Sequence, residues 1–227
     1  MFVRALSLVL APAALLAGCS VMPASARRAM TPPYQPSNVA VRQPTMPESI
    51  RRVVVLPIPR SRGDANQSSG ASLLEPVFLA ELRKRQAFEV IPVSPAVLRD
   101  LTAGSEWSAD VALPSDFFKR LNQATACDAV VFVSLTAFRP YPPLQTGWKA
   151  RLVDCRDHET WWAVDEVFDA GSESVIAAAQ SYARGDLSQP NPLLADTGVL
   201  HSPLRFGQYT AYDVAQTLPG RELAKVP

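Results

Sequence analysis

Two runs of apolar, mostly β-branched residues constrain the fold of this chain more than any other feature. Val53-Val54-Val55-Leu56-Pro57-Ile58 and Ala129-Val130-Val131-Phe132-Val133-Ser134-Leu135 hardly alternate between apolar and polar residues. A strand with one wet face would alternate, so an unbroken run marks a strand covered on both sides. Covering both faces takes helices, and the sequence between the runs supplies them. Leu74, Phe78 and Leu82 recur every four residues within 71–86, with Val77 alongside, which is the spacing of one helical face. Pro76 is expected near the first turn of that helix, where its missing N–H does no harm. Phe88-Glu89-Val90-Ile91-Pro92-Val93 reads as another strand, and Ser94 as the N-cap of a short helix over 95–101. Leu113, Phe117, Leu121 and Ala124 mark a further helical face opened by Pro114. Residues 148–154 and 161–168 alternate in character, as antiparallel strands with one covered face do, and the polar turn 155–160 joins them. Helices over 172–184 and 203–218 close the pattern on either side of a loop at 185–202. The order β-α-β-α-α-β-β-β-α-α predicts an α/β (α+β) fold, one mixed sheet of about five strands with helices packed on it.

Composition narrows the function. At 48% hydrophobic and 19% charged, the chain has enough apolar material to order itself. A formal charge of +1 gives no footprint for nucleic acid, and two histidines exclude a histidine-rich metal site. No Gly-x-Ser-x-Gly elbow, phosphate-binding loop or dinucleotide glycine pattern is present. The expectation is therefore no catalytic residue, no metal and no cofactor.

The N-terminus carries an address. Arg4 precedes an apolar stretch ending in small residues, the order of a secretory signal, and the stretch is too short to span a bilayer. Leu16-Ala17-Gly18-Cys19 resembles the lipobox of bacterial lipoproteins. That resemblance implies a signal peptide over 1–18, cleavage between Gly18 and Cys19, and acylation of Cys19 with palmitate-like chains. Several acyl chains, at about 0.8 kcal/mol per buried CH₂, make a durable membrane anchor. Ser20 stands where inner-membrane retention usually needs aspartate, so the resemblance points to an outer-membrane lipoprotein facing the periplasm. Six prolines among small and polar residues at 20–47 read as an extended tether over 19–48, although an arm packed on the domain would have the same composition. The domain is expected over 49–219, with a tail at 220–227.

Further strings carry a second resemblance. Val53–Pro57 followed by a helix and Phe88-Glu89-Val90-Ile91, then Ala126-Cys127-Asp128-Ala129-Val130-Val131-Phe132, form a recurring opening. Tyr141-Pro142-Pro143-Leu144, Leu152-Val153-Asp154, Trp161-Trp162 and Ser202-Pro203-Leu204-Arg205-Phe206 continue it. Together they resemble the periplasmic lipoproteins of the curli-secretion and penicillin-binding-protein-activator superfamily. The resemblance implies a TolB N-terminal-like α/β domain that binds or scaffolds other envelope proteins, or copies of itself, without an active site. The curli pore needs long hairpin insertions, and the short loops at 136–147 and 155–160 leave no room for them. The alternative is a lipid-tethered periplasmic hydrolase or small-ligand-binding protein, which would need converging polar residues.

Four groups of residues are candidates for chemistry or contact. Setting Ala137 opposite Gly147 puts position 127 opposite 157, so Cys127 and Cys155 can meet as a disulfide or remain two separate thiols. Asp154, Cys155, Asp157, His158 and Glu159 are the densest set of potential ligands, but zinc would need two more, and a polar turn explains them equally. Asp165, Glu166, Asp169 and Glu173 read either as paired acids or as a solvated face leading into a helix start. Adjacent Trp161 and Trp162 point to opposite faces of a strand, one toward the core and the other toward a helix, loop or partner. With Tyr141 they form the candidate interface.

Overall fold

Strand β2 (Arg52–Val55) lies between two parallel neighbours, β3 (Glu89–Pro92) and β4 (Ala129–Arg139), as its unbroken apolar run requires. The computed structural model describes residues 32–60, 63–185 and 198–221. The signal peptide, Cys19 and the first part of the expected tether lie outside the described residues, as do most of the 185–202 loop and the tail from 222. Beyond β4, strands β5 (Gln145–Asp154), β6 (Thr160–Asp169) and β1 (Val39–Val41) add in antiparallel fashion. The sheet has six strands in the order β1-β6-β5-β4-β2-β3.

Helices α1 (Ala65–Lys84), α4 (Glu173–Gly185) and α5 (Pro203–Gln216) cover one face, while α2 (Pro95–Thr102) and α3 (Phe117–Thr125) cover part of the other. The alternation of β2 and β4 divides their side chains between two cores. Val53, Val55, Val131 and Val133 join Leu74, Phe78 and Phe206 on the first face. Val54, Val130 and Phe132 join Leu98, Phe117 and Leu121 on the second. Trp148 stacks on Phe78 with ring centroids 5.0 Å apart, and its Nε1 donates to Thr210 Oγ1 at 2.9 Å. The Asp128 carboxylate, just before β4, accepts from the N–H groups of Arg51 and Arg52 at 2.8 and 2.9 Å, fixing the register of β2.

The mixed α/β class and the element order agree with expectation, and three details differ. The sheet gains a sixth strand because residues 32–48, expected as tether, are folded onto the domain. β1 pairs with the edge of β6, the Tyr34 N–H donates to Ser174 O at 3.2 Å, and the Met46 side chain is buried. An open sheet edge gains from a partner, and three residues are too few to show a period in the sequence. The tail also begins inside the fold. Gly220 O accepts from the Met46 N–H at 2.9 Å, and Arg221 donates to Ala87 O and Ile50 O. Finally, α1 starts at Ala65 under an Asp64 N-cap, so Pro76 lies well inside the helix rather than in its first turn. Its ring removes one helical hydrogen bond, which the burial of Leu74, Val77, Phe78 and Leu82 around it offsets.

Helices α1 and α5 meet at Gly207, where an added Cβ would fall 2.2 Å from Leu74 Cδ2. Gly207→Ala should therefore lower stability by about 1–3 kcal/mol through overpacking. That loss exceeds the gain of up to about 1 kcal/mol from better helix propensity. Urea denaturation of the two chains measures the difference.

Candidate functional site

Cys127 precedes β4 and Cys155 follows β5, and their Sγ atoms stand 3.6 Å apart. The hairpin has Ala137 opposite Gly147, as the sequence count assumed, but a bulge between Leu135 and Ala137 shifts the register by one. Ala129 thus faces Asp154, drawing the two cysteines closer than an unbulged count gives. Glycine is required beside the bulge, because a Cβ on Gly147 would fall 2.4 Å from Thr136 Oγ1. The hydrogen bond between the thiols pulls Cys127 down to about 7, and Cys155 is pushed up by donating it and by burial. One thiolate can thus form beside one retained thiol.

The turn after β5 is occupied with its own support. Buried Asp154 accepts from the Arg156 backbone N–H at 2.8 Å and from its guanidinium at 2.6 and 3.1 Å. Burial pushes the Asp154 carboxyl up, but these bonds outweigh it and hold the group below its ordinary range. Asp157 accepts from the Glu159 N–H, and His158 stacks on Phe118 with centroids 4.6 Å apart. Among the described residues no group of three or more His, Cys, Asp or Glu could hold a metal ion.

The acids of β6 are likewise tied to structure. Glu166 accepts from Tyr34 Oη and from the N–H groups of Ser37 and Asn38 at 2.7 and 3.0 Å, clamping the N-terminal arm. Burial alone would raise its pKa, and these donors reverse the shift. Asp169 accepts from the Gly171 N–H at 2.7 Å and from Arg139 at 3.3 Å. Glu173 begins α4, and Asp165 is exposed.

The interface candidates separate. Trp162 is fully buried and donates to Thr217 Oγ1 at 2.8 Å, so it is a core residue and presents no surface. Trp161 is half-buried beneath the Arg42 guanidinium, 5.2 Å from the ring centroid. Tyr141 is 58% exposed at the tip of the β4–β5 hairpin.

Two concavities were not anticipated. The first, about 280 Å³, lies on the half of the second face that α2 and α3 leave open, where Lys149 and Arg151 meet Asp110 from the 103–116 loop. Its charges already pair with one another, Lys149 Nζ lying 2.6 Å from Asp110 Oδ2. The second, about 540 Å³, lies between α1, α4, α5 and the arm at 33–35. Glu81, Lys84, Tyr182, Tyr212 and Asp213 line it. Its tyrosines and acids are scattered through the sequence, and no local spacing marks them as neighbours. Burial pushes the Asp213 carboxyl up to about 6 against a pull in the other direction from the Tyr209 hydroxyl.

The six-stranded sheet with helices on both faces defines a mixed α/β protein. No known protein family matches the sequence, and no curated protein matches it. Among solved structures, the PelC dodecamer from Paraburkholderia phytofirmans is 13% identical with a TM-score of 0.42, covering 81% of this chain and 98% of that one. Lipoprotein GNA1162 from Neisseria meningitidis is 19% identical with a TM-score of 0.36, covering 54% and 85%. TolB from Acinetobacter baumannii is 11% identical with a TM-score of 0.31, covering 62% of this chain and 28% of its own. At these identities and TM-scores the comparisons assign neither a superfamily nor a role.

Asp213 makes a testable contribution to stability. Its folded pKa of about 6 lies above the ordinary 3.8, so the folded chain keeps a proton that the unfolded chain releases. The stability this provides is complete below about pH 4 and is lost as pH rises through 6. Asp213→Asn cannot ionise and should keep it. The variant should melt above the parent at pH 7, by an equivalent of roughly 2–3 kcal/mol, with the gap closing toward pH 4. Glu166 and Asp154 titrate in the opposite sense in both chains, so they cancel in the difference. Calorimetric melts across pH 4–7 provide the measurement.

Proposed function

We propose that this chain is an outer-membrane lipoprotein, acylated at Cys19 and facing the periplasm. Its α/β domain acts there as a non-catalytic binding or scaffold module for other envelope proteins or for further copies of itself. The observation that carries this reading is Leu16-Ala17-Gly18-Cys19 behind a charged and then apolar leader. None of the described helices is long and apolar enough to cross a membrane, and acyl chains on Cys19 would supply the anchorage. Two of the acids that looked most like chemistry in the sequence support the reading too. Asp154 and Glu166 each accept backbone N–H groups, holding the β5–β6 turn and the arm in place. Tyr141, and Trp161 with Arg42 on the edge formed by β1 and β6, are the surfaces offered to a partner.

The thiols belong to the same reading. In an oxidising compartment Cys127 and Cys155 lose two protons and two electrons to a disulfide-donating protein, which is reduced to its dithiol as their S–S bond forms.

Cell fractionation tests the anchor. The parent chain should sediment with membranes after a high-salt wash and take up labelled palmitate, and Cys19→Ala should do neither. Retention of the variant in the membrane pellet would overturn the assignment. Alkylation tests the disulfide: exported protein should take up no thiol reagent until it is reduced, and then two equivalents. Cys127→Ser and Cys155→Ser should each unfold about 3–4 kcal/mol more easily than the oxidised parent. Thiols that react without reductant would show that the bond does not form. A photo-crosslinking residue at position 141 should capture a defined envelope protein or a second copy. Recovery of the chain alone, under conditions where a known lipoprotein complex survives, would defeat the scaffold reading.

A further inference from the structure

Four of the five tyrosines, Tyr34, Tyr182, Tyr209 and Tyr212, gather where α1, α4 and α5 meet the N-terminal arm. The rings of Tyr182 and Tyr212 lie 5.0 Å apart, and Tyr209 stands behind them, 5.9 Å from Tyr182. The cavity they border, about 540 Å³, is in the size range of small-molecule sites. We propose that it binds a small organic amine, with the ammonium on the Asp213 carboxylate and the carbon frame against the tyrosine rings.

The charges select a cation. Glu81, Lys84 and Asp213 are the charged residues lining the cavity. Glu81 is only 3% exposed, and Lys84 Nζ lies 2.7 Å from its Oε1, so these two neutralise each other. Among the described residues lining the cavity, Asp213 is left without a compensating cation. Glu166 lies close by but is engaged by Tyr34 and the arm, so it does not compete.

The polar groups select a donor. Asp213 Oδ2 and Tyr209 Oη are shielded from solvent and act on each other without a hydrogen bond of good geometry. They sit one turn apart on α5, and Tyr209 is 1% exposed. Buried polar groups so weakly satisfied are costly, and a donor reaching the Asp213 carboxylate from the cavity would relieve that cost. An ammonium supplies both the charge and the donors, and it can bond the Asp213 carboxylate directly. The rings add attraction for the cation and apolar contact for its carbon frame. An anion would be repelled by Asp213, and a neutral ligand would leave its charge uncompensated. A metal ion would find one free carboxylate where it needs several ligands.

Calorimetric titration of the full chain in detergent micelles tests this, with benzylamine as the probe and benzyl alcohol as its uncharged counterpart. The groups that line the cavity with Asp213 are Tyr212 on its own helix, Glu81 and Lys84 from α1, Tyr182 from α4 and Tyr34 from the arm, and Tyr209 faces Asp213 from the core. Benzylamine should bind saturably at pH 7, and benzyl alcohol about tenfold or more weakly. Amine affinity should fall about tenfold between pH 7 and pH 5 as Asp213 takes up its proton. Asp213→Asn should lose about tenfold at pH 7 and most of the pH dependence. Equal binding of amine and alcohol, no saturable heat from the amine, or unchanged affinity in a folded Asp213→Asn would each overturn the proposal. If the variant does not fold, the amine–alcohol comparison and the pH series on the parent chain decide the matter. None of these outcomes depends on membrane anchorage or on a protein partner.

Discussion

The two-sided burial of β2 and β4 is the constraint on which the rest of the structure depends. Val53–Val55 pair with β3 on one side and β4 on the other, and their side chains enter two separate cores. A strand enclosed in this way cannot slip by one residue without exchanging Val54 for Val53 and Val55 between those cores. Helices on both faces follow from it, and parallel pairing follows in turn, because the connections from β2 to β3 and from β3 to β4 run through those helices. The Asp128 carboxylate reinforces the register where β2 begins by holding two consecutive backbone N–H groups.

The antiparallel half obeys looser rules. From β4 to β1 one face is closed by α1, α4 and α5, while the other is only partly roofed by the 103–116 loop. Polar residues such as Ser134, Lys149, Arg151 and Asp165 occupy the open side. This half accommodates a bulge, a three-residue edge strand and an arm held mainly by Glu166. The groups available for recognition are found here and on the helices beneath it.

What could be read in the sequence follows the same division. The apolar runs at 53–58 and 129–135 and the four-residue spacing of Leu74, Phe78 and Leu82 mark two strands and a helix that are all present, although the helix begins earlier than its spacing shows. The meeting of Cys127 and Cys155 was legible because a hairpin register can be counted, although the bulge that tightens it could not. β1 was hidden because three residues in a proline-rich stretch carry no period, and its pairing depends on an edge more than 100 residues away. Asp64 as the helix cap was missed because the polar first turns of α1 look like loop, so Pro76 was placed too near the start. The tyrosine-lined cavity left no local trace, since residues 34, 81, 182, 209 and 213 come together only through the packing of helices against the arm.

The seam between arm and tail has a geometric consequence. Thr45 bridges Gly220, and the arm is already fixed to β6 and α4 by residue 34, so the chain leaves the folded body there rather than at residue 48. Only about a dozen residues stand in the sequence between Cys19, the proposed point of acylation, and the first described residues of the arm. Even fully extended they reach roughly 40 Å, less than half the leash that 28 residues would provide. Pro33 and Tyr34 lie on the side of the molecule that carries the tyrosine cavity and the β1 edge. An anchor at Cys19 would therefore hold that flank, and not the opposite β3 edge, within this reach of its point of attachment.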